Sequence, residues 1–134
     1  FPAELPAVRR ALSGIICALR ARHVPDDVLH RFELVLAEVF NNIVEHAYAN
    51  DSPGPIRVAV GMAGPALNVR VRDEGAPMPG NKLPLGRIYD HDETAVGNLP
   101  EGGFGWFLIR SATTGLQYRR RGEGNELSFL LGPA

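Results

Sequence analysis

One amphipathic segment, residues 26–48, constrains the fold of this chain more than any other part of the sequence. Its apolar residues recur every three or four positions, at Val28, Phe32, Val35, Val39 and Ile43. This spacing predicts a helix that packs one long face against a core. Two aspartates, Asp26 and Asp27, would lie in the first turn, where acidic groups suit the positive end of the helix dipole. We expect the helix to run to Tyr48.

A second row of side chains follows the edge of that apolar face. Glu38, Asn42 and His46 are each four residues apart, so a helix stacks them on one side. Burying a carboxylate, a carboxamide and an imidazole costs free energy unless hydrogen bonds satisfy them. On this segment alone, a solvated helix flank and a functional site explain the pattern equally well.

Composition sets limits on the class of protein. With 134 residues and 45% hydrophobic residues, the sequence predicts a single globular domain over 1–134. The formal charge of -1 gives no indication of direct nucleic-acid binding. The lone cysteine, Cys17, excludes an internal disulfide and a cysteine-rich zinc site, and we interpret it as a small buried residue. No apolar run reaches the roughly 20 residues that span a bilayer, and the start does not resemble a signal peptide. A cytoplasmic protein without a membrane anchor is expected.

The remaining elements follow from periodicity. A first helix is predicted over 5–22, two alternating strands over 56–62 and 67–73, a third helix ending near Gly115, and a closing hairpin from 116–121 and 127–131. Helices gathered on one face of a mostly antiparallel sheet form an α+β, two-layer sandwich. Residues 78–101 have no clear period, and such a long loop is typically a lid or a binding loop.

Asp73 extends the alternation of the second strand by one step, so its carboxylate is predicted to face the core and to need a hydrogen-bond partner.

Two clusters of charged residues are interpreted as exposed surface without a functional role. Asp90–Glu93 includes His91, but adjacent residues rarely converge on one metal ion, and Arg119–Arg121 is expected to be solvated strand surface.

A glycine-rich turn, Gly102–Gly105, precedes the third helix. Backbone N–H groups at such a helix start can approach an anion. The turn lacks the lysine of a Walker loop and the last glycine of the Rossmann fingerprint, so by itself it is weak evidence.

Together these pieces suit a nucleotide. Asp73 can accept a hydrogen bond from the amino group of adenine, whereas the carbonyl of guanine would leave the carboxylate unpaired. Asn42 offers an amide oxygen to Mg²⁺, which prefers oxygen ligands. Glu38, one turn earlier, can take a proton from an attacking hydroxyl.

These segments resemble the N, G1 and G2 boxes of the GHKL (Bergerat-fold) ATPases. More narrowly, residues 37–48, 73–77 and 102–111 resemble the anti-sigma-factor serine kinases, and residues 124–127 are similar to the last hairpin of that subfamily. The likeness covers nearly the whole chain.

The resemblance implies a role for each matched residue. Glu38 would be the catalytic base, Asn42 the Mg²⁺ ligand, and Asp73 the adenine contact with Gly75 beside it. The lid over the phosphates of ATP would be bounded by Gly103 and Gly105. The remaining nucleotide-binding candidates in the boxes are His46, Pro77, Gly102, Phe104 and Trp106, with His46 a structural hydrogen-bonder rather than a catalyst.

The resemblance also implies partners. Such kinases phosphorylate a serine on a small STAS-type antagonist, hold a sigma factor inactive, and commonly form homodimers. The chain departs from them in a shortened first edge strand and in Thr114 and Gly115, where relatives often carry an acidic residue. Lys82 and Arg87 are both candidates for the phosphate-facing cation. Two alternatives remain open: a module that binds a sigma factor or antagonist without catalysis, and the catalytic half of a histidine kinase.

Overall fold

The computed structural model describes residues 1–49, 53–84 and 103–133. The helices are α1 (Leu5–Ala21), α2 (Asp26–Asn42) and α3 (Gly103–Ala112), and the strands are β1 (Ile56–Ala63), β2 (Ala66–Asp73), β3 (Thr114–Arg121) and β4 (Gly124–Leu131). A π-helical turn, Ile43–Ala47, continues α2, and a 3₁₀ turn covers Pro79–Asn81. Among the described helices, none has the length and apolarity that crossing a bilayer requires.

The four described strands form one antiparallel sheet in the order β1-β2-β4-β3. The two central strands, β2 and β4, pair so that Arg72 lies opposite Glu126 and Asp73 lies opposite Asn125. Because side chains alternate along a strand, these two consecutive pairs point to opposite faces of the sheet. The register therefore brings Asp73 and Asn125 together on the face that also carries the buried apolar residues.

The core lies between that face and the helices. α2 contributes the largest share, with Phe32, Val35, Leu36 and Phe40 fully buried. The inward residues of the central strands complete the same cluster: Leu67, Val69, Val71, Leu127, Phe129 and Leu131. The opposite face of β2 carries the exposed residues Asn68, Arg70 and Arg72, so the three described α-helices cover one side of the sheet. The predicted two-layer α+β sandwich is confirmed.

The first residues pair with the outer edge of β1, where the sequence predicts a shortened strand. The Ile56 N–H donates to the Phe1 carbonyl at 2.7 Å, and the Ala3 N–H donates to Gly54 at 2.9 Å. Pro2 and Pro55 form a single β-bridge between these bonds. The Phe1 ring meets Phe40 edge-on, with ring centroids 5.2 Å apart, so this short segment is tied to the core.

The helix that contains Glu38 ends near Tyr48, as predicted, but its last turn is π-helical, because the Tyr48 N–H bonds to the Ile43 carbonyl five residues back. One local prediction is wrong: Cys17 is exposed, not buried. It lies about 100° around α1 from the buried Ile16, which turns it out of the packed face.

Candidate functional site

A cavity of about 470 Å³ opens between α2, the π-helical turn and the carboxyl end of β2. Its apolar walls come from both layers of the sandwich: Val39, Ile43, Val71, Met78, Trp106 and Leu127. A few polar groups converge on this lining, among them Asn42, Asp73 and Asn125. A mostly apolar cavity of this size with a small number of placed polar groups is typical of a small-molecule site.

Asp73 supplies the carboxylate of the cavity. The residue is only 7% exposed, as its position in the strand predicts. One oxygen, Oδ1, accepts two hydrogen bonds: from the Gly75 N–H at 2.9 Å and from Asn125 Nδ2 at 2.7 Å. Within the described residues, no hydrogen bond reaches the other oxygen, Oδ2. The Asp73 carboxylate therefore keeps one acceptor available to a ligand.

Burial raises the pKa of Asp73 above its ordinary value, because removing the carboxylate from water disfavours its charged form. The hydrogen bonds from Asn125 and from the Gly75 backbone oppose that rise, and so does the positive charge of Arg120. The site thus combines a desolvated carboxyl group with donors that favour its ionised form.

The Asn125 carboxamide joins the carboxylate to the loop that follows β2. Its nitrogen donates to Asp73 and also to the Ala76 carbonyl at 2.9 Å. Its oxygen accepts from the Tyr118 hydroxyl at 2.5 Å and from Arg120 at 3.1 Å. Arg120 donates further to the Gly75 carbonyl at 2.6 Å. The prediction that Arg120 is solvated strand surface is therefore wrong, since its guanidinium is partly buried against the site.

The loop after β2 also packs directly on the π-helical turn. The Ala76 N–H donates to the Ala47 carbonyl at 2.7 Å. At Gly75 there is no room for a side chain, because a Cβ would collide with the Ala47 backbone. Glycine at this position lets the loop lie against the π-helical turn, and this contact fixes one wall of the cavity.

Glu38 and Asn42 lie one turn apart on α2, near the beginning of α3. Gly105 contacts Glu38 so closely that an added Cβ would lie 2.5 Å from the carboxylate oxygen Oε2. Asn42 lines the cavity, and its side-chain nitrogen is buried without a hydrogen-bond partner in the part of the chain described. A buried amide donor without an acceptor costs free energy, and an oxygen-rich ligand in the cavity would supply the acceptor.

The other predicted residues are distributed around this centre. Pro77 and Trp106 line the cavity, and Gly103 begins α3. His46 also lines the cavity, but its side chain is 64% exposed, and its Nε2 lies 3.9 Å from a Glu45 carboxylate oxygen. The side chain of Phe104, and all of Gly102, Arg87, His91 and the predicted lid from 85 onward, lie outside the described residues.

Lys82, a candidate for the phosphate-facing cation, lies within the described residues and is exposed just after the 3₁₀ turn.

Among the residues that the structure covers, no three His, Cys, Asp or Glu side chains cluster to hold a metal ion. A magnesium ion here would accordingly depend on Asn42 together with oxygen atoms of a ligand and water. That is the way Mg²⁺ is commonly bound beside phosphates.

Comparison with known proteins gives matches over most of the chain. The profile of the family described as "Histidine kinase-like ATPase domain" matches residues 1–131. A serine-protein kinase RsbW of Oceanobacillus iheyensis is 26% identical over 110 residues, which cover 82% of this chain and 68% of that protein. RsbW proteins of Bacillus cereus (strain AH187) and Bacillus anthracis (strain CDC 684) are each 30% identical over 111 residues, covering 82% of this chain and 66% of theirs.

Proposed function

Since the chain belongs to the histidine kinase-like ATPase domain family, we propose that it is an ATP-dependent protein serine kinase that acts as an anti-sigma factor. Its substrate would be a serine of a small STAS-type antagonist, and its second partner a sigma factor. The names of the RsbW relatives support the kinase assignment. The chain spans about two thirds of the length of these relatives, so activity and partners are inferred for it.

One observation carries the proposal. The buried Asp73 carboxylate keeps a free acceptor oxygen in an apolar cavity, and the unpartnered Asn42 amide lies in the same cavity. An adenine ring suits the first feature, because it has a flat apolar surface and an exocyclic amino donor. A phosphate chain suits the second, because its oxygens can accept the hydrogen bond for which the Asn42 side-chain nitrogen has no partner.

In this proposal each residue has a separate role. Asp73 holds the base by accepting from its amino group, and the Gly75–Ala76 loop fixes the carboxylate. Asn42 would hold the magnesium ion through its amide oxygen. ATP, when bound, would supply its terminal phosphoryl group and leave as ADP, and the magnesium ion would neutralise the charge that develops during transfer. Glu38 accepts the proton of the attacking serine hydroxyl, a contribution of about 10²–10⁴ in rate.

The test is phosphorylation of the cognate antagonist, encoded by the same organism. The purified chain is incubated with Mg-ATP and the antagonist, and intact mass spectrometry follows the addition of one phosphoryl group. We expect Glu38→Gln to bind ATP with wild-type affinity in calorimetry and to reduce the phosphorylation rate by at least about 100-fold. Glu33→Gln, on the exposed side of the same helix, is the matched control and should remain active.

The opposite result would favour the non-catalytic alternative. If the wild-type chain binds the antagonist tightly but leaves it unmodified in the presence of Mg-ATP, the kinase assignment is wrong. If Glu38→Gln phosphorylates the antagonist as fast as wild type, Glu38 is not the base.

A further inference from the structure

We propose that Asn125 and Arg120 determine the base specificity of this site, by fixing which oxygen of Asp73 faces the cavity and by keeping that oxygen a hydrogen-bond acceptor. The inference rests on the proposed function, because it concerns the same cavity and the same ligand. Asn125 and Arg120 are positioning residues in this scheme, acting through Asp73.

A directional chain of hydrogen bonds supports this role. The Met78 N–H donates to the Tyr118 hydroxyl oxygen at 3.0 Å, and the Tyr118 hydroxyl donates to Asn125 Oδ1. Arg120, which can only donate, gives Asn125 Oδ1 a second hydrogen bond. The oxygen of the carboxamide must therefore point toward β3 and its nitrogen toward Asp73. The orientation of Asn125 follows from the chemistry of its partners.

This orientation decides what Asp73 offers to a base. Asn125 Nδ2 and the Gly75 N–H both donate to Oδ1, so that oxygen is occupied. The other oxygen is the one left for a ligand. As long as the carboxyl group is ionised, this oxygen can only accept, which suits the amino group of adenine. A protonated Asp73 could instead donate to a carbonyl, as in hypoxanthine or guanine.

Arg120 provides a way to separate positioning from direct contact. It is absent from the described lining of the cavity, yet it donates to Asn125 and to the Gly75 carbonyl. Any effect of Arg120 on base discrimination must consequently pass through its neighbours. Arg119, the preceding residue, is exposed on the other face of the same strand and offers a matched control.

Several charged and titratable groups surround Asp73 besides Arg120. His46 lines the same cavity, and Tyr48 lies two residues after His46 in the sequence. Glu74 is the next residue after Asp73, and Tyr118 reaches the site from β3. Among these groups, Arg120 is the one whose positive charge lowers the pKa of Asp73, as does the hydrogen bond from Asn125. Loss of either should raise that pKa further.

The experiment compares ATP with inosine triphosphate, which carries a carbonyl in place of the amino group. Calorimetry gives the ratio of the two dissociation constants for wild type, Asn125→Ala, Arg120→Met and Arg119→Met. We expect wild type to prefer ATP by roughly tenfold or more. Asn125→Ala and Arg120→Met should lower this ratio by at least about fivefold, and Arg119→Met should leave it unchanged. Folded Asn125→Ala and Arg120→Met proteins that keep the wild-type ratio would overturn the proposal.

A second measurement needs no nucleotide. Carbon-13 NMR of the Asp73 carboxyl group gives its pKa directly in the same four proteins. Asn125→Ala and Arg120→Met should each raise this pKa, and Arg119→Met should not. An unchanged Asp73 pKa in both would show that neither residue acts on the carboxylate. If wild type binds neither nucleotide, the proposed function is wrong, and the titration still decides whether the positioning is real.

Discussion

Gly105 lies against Glu38 so closely that a methyl group at position 105 would come within 2.5 Å of the carboxylate oxygen Oε2. This contact joins the beginning of α3 to the C-terminal part of α2. No residue other than glycine can occupy the position without moving the Glu38 side chain or the helix. A single methyl group at position 105 would thus displace the carboxylate of the proposed base.

Gly105→Ala should therefore damage activity more than stability. We expect phosphorylation to fall by at least about tenfold, since a small misplacement of a reacting group is costly. Unfolding free energy should change by less than about 1 kcal/mol, because the displaced atoms are the end of the flexible Glu38 side chain. Gly14→Ala is the matched control in another helix, because nothing lies within 4 Å of the added Cβ there. That variant should gain about 0.5–1 kcal/mol in stability. Wild-type activity in Gly105→Ala would contradict the close contact.

Asp73→Asn should abolish ATP binding while leaving the fold intact. The asparagine oxygen can still accept from Gly75 and Asn125, but an amide donor replaces the acceptor that faces the cavity. Because the pKa of Asp73 is raised in the folded protein, its ionisation costs stability as pH rises through that pKa. The melting temperature of the variant relative to wild type should be highest near neutral pH and fall toward pH 4.

Thermal unfolding monitored by circular dichroism, together with calorimetric titration of ATP, checks both parts of this prediction. Glu74→Gln, at the exposed neighbouring position, should bind ATP like wild type. A variant Asp73→Asn that binds ATP normally would remove Asp73 from the proposed base contact.

Glu126→Gln should destabilise the protein in a pH-dependent way. The Glu126 carboxylate accepts from Arg72 at 2.6 Å and from Arg121 at 3.3 Å, and the first of these bonds is the main reason that its pKa is lowered. A carboxyl group with a lowered pKa stabilises the fold above its ordinary pKa, and this contribution is lost as pH falls through the lowered value.

We expect the variant to melt about 2–5 °C lower near pH 7, since the arginines are partly solvated, and the difference to shrink at acidic pH. Glu123→Gln, in the exposed turn between β3 and β4, serves as the control. A constant difference across the acidic range would argue against the ion pairs as the cause.

Tyr48→Phe tests how the end of the π-helical turn is fixed. The Tyr48 hydroxyl donates to the Pro55 carbonyl at 2.8 Å and accepts from the Glu74 N–H at 2.7 Å, so it joins two loops next to the site. Removing it should cost about 1–2 kcal/mol in unfolding free energy, measured by urea denaturation. An unchanged midpoint would mean that water replaces the hydroxyl without loss.

Much of this arrangement could be predicted from local pattern. The period of three to four in α2 places Phe32 and Val35 in the core, and the period of two in β2 turns Asp73 inward. Both predictions are confirmed, because each depends only on the geometry of one element. The family resemblance inferred from the motifs is confirmed as well.

Other features depend on contacts between distant parts of the chain. Asn125 meets Asp73 through the pairing of β2 with β4, and no spacing along the sequence specifies that register. Arg120 belongs to a run of three arginines, and residue type alone does not separate it from the other two. The alternation of side chains along β3 does separate it, because Arg120 shares the side of the strand that carries Tyr118 and faces the site. The π-helical turn has no comparable signal in the residue pattern.

The pairing of Arg72 with Glu126, one step before Asp73 and Asn125, has a practical consequence. The arginine-rich outer surface and the proposed base pocket lie on opposite faces of the same two strands, separated only by the thickness of the backbone. Substitutions designed to probe the outside of the sheet will therefore disturb the inside whenever they shift this pairing. Nucleotide affinity should therefore be measured for every variant in a mutational scan of this surface.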